Sequence, residues 1–188
     1  MKKYIVAAFL CLLLCAQATA QEKRSFTIRI TPEIGGMELT NNEDGSSVEM
    51  NPSFVGVGIQ ANLPVARNWD VVAGLSYVRA KGNAYTGTSE SLSVESSKLT
   101  GLTAPVLVRF HFLKYAFVDG GIYLSNLENS SGEHKFIAGP DIGFGVAYTF
   151  PTGLLFSIRP NVRYLSWFAD TDLKLKQFAV EFGIGYQF

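Results

Sequence analysis

His134 sits in the segment "NSSGEHK", a few positions from Glu128, Ser130, Ser131 and Glu133. A histidine beside hydroxyls and carboxylates is the raw material of a nucleophile–base–acid set. One reading is therefore an enzyme that attacks lipid A or protein through loop residues near His134. The same residue types also make up any polar loop, and nothing in the spacing fixes their geometry. "GVGIQA" matches Gly-x-Gly-x-x-Ala at Gly56, Gly58 and Ala61. That fingerprint needs a strand, a turn and a helix, and here strand-like alternation runs on through Gln60 and Leu63. "NNEDG" and "DTD" lack the twelve-residue calcium loop pattern, and turn chemistry accounts for their Asn, Asp and Gly. Both cysteines, Cys11 and Cys15, fall in the first 20 residues, which removes disulfide frameworks and cysteine metal sites from the rest. No catalytic residue, metal or cofactor is expected. Formal net charge is zero with no basic stripe, so nucleic acid is not an expected partner.

A second set of residues has chemistry of another kind. Around the tight turn "LKY", placing Phe112 opposite Ala116 puts Arg109 opposite Asp119. Around "PTG", placing Phe150 opposite Leu154 puts Arg163 opposite Asp141. Across "ADTD", matching parity brings Arg163 near Glu181 as well. Charges removed from water must be paired or they cost several kcal/mol. Arg109, Asp119, Asp141, Arg163 and Glu181 are thus expected to form one buried network.

Those registers require strands. Period-2 alternation recurs throughout. Phe26, Ile28 and Ile30 oppose Thr27 and Arg29; Val55, Val57, Ile59 and Leu63 oppose Gly56, Gly58, Gln60 and Asn62; Trp69, Val71, Leu75 and Tyr77 oppose Asp70, Gly74 and Ser76. "LTAPVLVRFHF", "FVDGGIYL", "DIGFGVAYTF", "LLFSIRPNVRY" and the closing "QFAVEFGIGYQF" continue the pattern and bring the strands to eight. Connections alternate between long polar loops and short turns, which describes an up-and-down meander with two distinguishable ends. Pro105 and Pro160 lie inside strands, where proline removes a ladder bond, so bulges are expected there.

Eight strands closed on themselves leave an interior just wide enough for modest side chains. The apolar set of Phe, Tyr, Ile and Val would overfill it, whereas Gly, Ala, Ser and Thr fit. The apolar face therefore points outward and needs lipid. A closed barrel also pairs every backbone group, as lipid demands. The rival is a soluble lipocalin-like barrel that binds a ligand among inward apolar residues. The fold expected is an all-β, eight-stranded antiparallel transmembrane barrel in a bacterial outer membrane. An aromatic girdle of Trp69, Phe112, Phe150, Tyr186 and Phe188 would mark its short-turn end.

Residues 1–20 read as a secretory signal peptide. Lys2 and Lys3 precede an apolar run, and Ala18 and Ala20 suit a peptidase that cuts after Ala20. Residues 21–188 then form the barrel domain.

The order of "LTAPVLVRFHF", "DIGFGVAYTF", "VRYLSWF" and "FGIGYQF" resembles the small outer-membrane barrels of OmpA and OmpX type, and more specifically the PorT-like barrel-domain family of Bacteroidetes. The closing Gly-Tyr-x-Phe, Gly185 to Phe188, resembles the signal read by the barrel-assembly machinery, with Tyr186 and Phe188 as its aromatic residues. The resemblance implies outer-membrane lipid and lipopolysaccharide as surroundings, and the assembly machinery and periplasmic chaperones as partners during biogenesis. It implies a non-enzymatic role in envelope structure or in binding by the outer loops. The charge-filled lumen argues against an open pore, and no residue identifies a surface partner.

Overall fold

The computed structural model describes residues 26–43, 46–50, 52–88, 91–128, 132, 134–165 and 173–188. Nine strands run through them: β1 Thr27–Glu43, β2 Ser46–Met50, β3 Ser53–Ala66, β4 Trp69–Thr88, β5 Ser91–His111, β6 Ala116–Glu128, β7 His134–Thr149, β8 Leu154–Leu165 and β9 Leu173–Gln187. Strands β2 and β3 both pair with β1 on one side and β4 on the other. They are successive parts of one wall position, so the wall has eight. Antiparallel pairing continues in chain order to β9, and β9 pairs with β1 from Thr27↔Gln187 to Asn41↔Leu173. The sheet is a closed eight-stranded barrel, as the alternation predicts.

The apolar face is the outer one. On β7, Ile142 and Phe144 are 68% and 65% exposed while Asp141 between strands β6 and β8 is fully buried. The same division holds on β1, where Ile28, Ile30 and Ile34 point out and Arg29 and Glu33 point in. A lipocalin-like arrangement, with its apolar side chains inside, is the reverse of this.

The short turns behave as their residues dictate. In "PTG", the Phe150 amide donates to Leu154 oxygen at 2.8 Å and the Gly153 amide to Phe150 oxygen at 2.9 Å. Gly153 has φ +88°, a conformation glycine adopts without steric cost. That turn locks the β7–β8 register on which Arg163 and Asp141 meet. Aromatic rings gather at this end: Tyr148–Phe150 at 4.8 Å, Phe150–Phe156 at 5.9 Å, Trp69–Phe110 at 4.7 Å and Tyr186–Phe188 at 5.1 Å.

The bulges expected at Pro105 and Pro160 are absent. Pro105 faces Tyr123 and Pro160 faces Val180 with no change of register. Each proline interrupts the ladder only towards its other neighbour: β4–β5 pairing skips from Ala73↔Val106 to Ser76↔Thr103 and β7–β8 pairing from Gly143↔Asn161 to Val146↔Ile158, with the register kept. The register shift that does occur lies between Pro64 and Ala66, beside the β3–β4 turn.

Candidate functional site

The inward positions of eight strands converge on a narrow lumen, and its middle is filled with charge. Arg109 lies directly opposite Asp119, and its Nε and Nη2 donate to Asp119 Oδ2 at 2.9 and 2.7 Å. Arg163 lies opposite Asp141, with Nε donating to Oδ2 at 3.1 Å. Arg163 Nη2 also reaches Glu181 Oε1 at 2.7 Å. All five residues expected to form a network are therefore in one cluster.

Its centre, however, is a residue outside that expected set. Arg159 donates from Nε to Asp119 Oδ1 at 2.7 Å, from Nη2 to Asp141 Oδ1 at 2.6 Å and from Nη1 to Glu181 Oε1 at 2.7 Å. One guanidinium thus joins three carboxylates from three strands. Arg159, not Arg163, is the register partner of Glu181. Parity shows that Arg159 faces inward, but the long β8–β9 connection does not fix which inward arginine meets Glu181.

Three more side chains extend the cluster towards β1 and β3. Arg29 Nη2 donates to Gln60 Oε1 at 2.6 Å, and Gln60 Nε2 donates to Glu181 Oε2 at 3.1 Å. Glu33 Oε2 lies 2.9 Å from Arg163 Nη2, close enough for an ion pair though not angled as a hydrogen bond. Two aromatic rings complete the packing: the Arg109 guanidinium sits 3.7 Å from the Phe117 ring centre and that of Arg163 4.0 Å from Tyr123. Such stacking suits the planar, weakly hydrated guanidinium. Among the described residues, the buried charges are four arginines and four carboxylates, Arg29, Arg109, Arg159 and Arg163 with Glu33, Asp119, Asp141 and Glu181. The cluster is neutral as a whole.

Glycine makes the room. A Cβ on Gly143 would lie 2.6 Å from Arg159 Nε. An alanine there would push the guanidinium away from its carboxylates.

Towards the long loops the lumen changes character. Met37, Phe54, Val78, Leu127, Ile137, Leu165 and Leu175 point inward and pack into a buried apolar layer together with Tyr123. An interior of small and polar residues alone, the expectation from sequence, is corrected by this layer. It fits because large residues face small ones: Phe54 packs over Gly35, and Leu127 over Gly101. The strands also run several residues beyond the segments whose alternation is clearest, and the layer lies in those extensions.

At the short-turn end, His111 Nε2 is 2.8 Å from Asp70 Oδ2, a half-buried pair that gives this inward histidine its partner. His134 stands at the opposite end, exposed and directly across from Glu128. Ser130, Ser131 and Glu133 lie outside the described residues, as does Ala20 of the expected signal. Tyr186 and Phe188 face outward. Among the described residues, no group of His, Cys, Asp or Glu is placed to hold a metal.

Removing one partner from a buried ion pair leaves the other uncompensated, at a cost of about 3–5 kcal/mol. Arg159→Leu, which strands three carboxylates, is expected to destabilise the folded barrel on that scale. Asp141→Asn is expected to cost less, because Asp119 and Glu181 still hold Arg159. The midpoint of urea unfolding in detergent micelles measures both; an unchanged midpoint for Arg159→Leu would contradict the assignment.

The chain matches a family model described as outer membrane protein beta-barrel domain over residues 17–188. No curated protein matches it. Among solved structures, the fold is similar to that of OprG from Pseudomonas aeruginosa, with TM-score 0.52 and 13% identity over 88% of this chain and 96% of that one. It is also similar to AlkL as determined in DMPC lipid bilayers, with TM-score 0.53 and 13% identity over 90% and 92% of the two chains. At such identity these likenesses speak for the fold. With the closed wall and the outward apolar face, the match over nearly the whole sequence leads to one conclusion: the chain belongs to the outer membrane protein beta-barrel domain family and is a protein of the bacterial outer membrane.

Proposed function

We propose that the protein is a non-enzymatic barrel with a sealed lumen, serving envelope structure or presenting its long loops to a partner at the cell surface. The observation that carries this reading is the filled interior. A solute crossing the lumen would have to part Arg159 from three carboxylates and then displace the apolar layer beyond it. Hydrogen bonds to charged groups contribute about 1.5–3 kcal/mol each, so opening such a cluster is costly.

The reading keeps catalysis away from His134. His134 lies directly across from Glu128 and both are exposed, and an ordinary polar cross-strand pair at the strand end accounts for them. The sequence motifs support a PorT-like member of the family. Its surroundings are then outer-leaflet lipopolysaccharide, and its assembly depends on periplasmic chaperones and on recognition of Tyr186 and Phe188 by the barrel-assembly machinery.

Two measurements test this reading. In a planar lipid bilayer the purified protein is expected to show no large steady conductance; a persistent open level would overturn the sealed lumen. Deleting Phe188 is expected to lower the amount of barrel assembled in cells while leaving refolding into detergent intact. Normal assembly of the truncated chain would remove the role assigned to that residue.

A further inference from the structure

One of the four buried arginines has no carboxylate beside it. Arg109, Arg159 and Arg163 form all the ion pairs of the lumen cluster among the described residues, and Arg29 is in none of them. The four carboxylates are engaged elsewhere: Asp119 by Arg109 and Arg159, Asp141 and Glu181 by Arg159 and Arg163, and Glu33 by Arg163. The charges therefore balance in sum but not in place. The partners of Arg29 are neutral. Its Nε and Nη2 donate to Gln60 Oε1 at 3.2 and 2.6 Å, and its Nη1 donates to Ser157 Oγ at 3.4 Å. Gln60 passes a hydrogen bond on to Glu181, yet an amide brings no charge of its own. Arg29 is only 2% exposed, and a buried cation without an adjacent counter-charge costs several kcal/mol.

The surroundings suit a small anion. The cross-strand neighbour of Arg29 on β9 is Gly185. A Cβ there would lie 2.6 Å from Arg29 Cβ, and one on Gly183 would lie 3.2 Å from Arg29 Cδ. The side chain thus lies across two glycines, and its guanidinium ends beside Ser157 of β8. A guanidinium has five N–H donors, and the three hydrogen bonds to Gln60 and Ser157 leave donors for a further acceptor. The Ser157 hydroxyl accepts from Arg29 through its oxygen and has its own proton to give. Towards the short turns, only Thr27 follows Arg29 on the inner face of β1, and Ser157 and Gln187 are half-buried. Asp70, at that same end, is held by His111.

We propose that Arg29 and Ser157 bind a small monovalent anion of the size of chloride, which enters from the short-turn end and supplies the missing counter-charge. Charge-assisted hydrogen bonds from the guanidinium hold it, and the Ser157 hydroxyl donates a further one. The site lies on the short-turn side of the Arg159 hub, so the ion is bound without a route through the sealed lumen.

The test follows urea unfolding of the purified barrel in a nonionic detergent, with sodium chloride replacing sodium gluconate at constant ionic strength. Above half-saturation, each tenfold rise in chloride is expected to lower the unfolding constant of the wild-type protein about tenfold. Arg29→Gln is expected to show no response. Arg67→Gln, which removes an exposed cation in a short turn, is expected to respond as the wild type does. Faster gel migration of the unheated protein reports separately that each variant is a folded barrel. A flat wild-type response would show that Gln60 and Glu181 satisfy Arg29, and would overturn the site. An equal response in Arg29→Gln would place the ion elsewhere, and half-saturation only at molar chloride would mark an adventitious ion only; either would overturn it too. Bromide soaked into crystals of the wild-type protein needs no variant. An anomalous peak is expected within hydrogen-bonding reach of Arg29 Nη1, and its absence would overturn the site even if Arg29→Gln fails to fold.

Discussion

Everything in this molecule depends on β1 meeting β9. A sheet in lipid has no water to satisfy its edges, so an open wall would leave two rows of unpaired amides and carbonyls in hydrocarbon. The pairing from Thr27↔Gln187 to Asn41↔Leu173 removes both edges. Closure at eight wall positions then sets the size of the interior, and that size dictates the rest. Most branched and aromatic side chains are sent outward, where lipid receives them. What remains inside must be small, or must pack tightly, as Arg159 does among its carboxylates and Phe54 does over Gly35.

Confinement also explains why the charges come in balance. An arginine in a lumen this narrow cannot keep a hydration shell, so its neutralising partners must come from neighbouring strands. Arg159 draws on Asp119 of β6, Asp141 of β7 and Glu181 of β9. Strand positions that are distant in sequence are thereby tied across the lumen, which adds to the ladder bonds a second set of connections running through the barrel's centre. The apolar layer at the long-loop end closes the same space by a different means. Charge and oil are stacked along one axis, with Tyr123 touching both: its ring lies under Arg163 and its body joins the apolar layer.

Much of this was legible in the residues. The parity of Phe188, Tyr186, Ile184 and Phe182 against Gly185, Gly183 and Glu181 gives the outward face directly, because side chains of a regular strand alternate between its two faces. The registers of Arg109 with Asp119 and of Arg163 with Asp141 were readable because three-residue turns leave few choices. Arg159 was not placed as the hub, since its partners lie across a long connection and across the lumen, and sequence spacing constrains neither. The apolar layer escaped for a related reason. Met37, Leu127 and Ile137 sit where strands run on into segments rich in Asn, Ser and Gly, and those residues signal loops more strongly than they deny strands. Pro105 and Pro160 misled in the other direction, since a proline can lose one ladder bond without bending the strand.

The central claim is that one face of every strand meets lipid and the other meets a sealed interior. Single-cysteine labelling tests both halves together, because the chain has no cysteine beyond Cys15. Cysteines would replace Ser76 and Ser125 on the inner face and Leu75 and Ile122 on the outer face, one at a time. Intact cells would then be treated with a maleimide that cannot enter membranes. The account predicts that none of the four reacts until the protein is denatured. Labelling at positions 76 and 125 would reveal a lumen open to water, and labelling at 75 and 122 would show that the apolar wall is not in lipid; either result would contradict it.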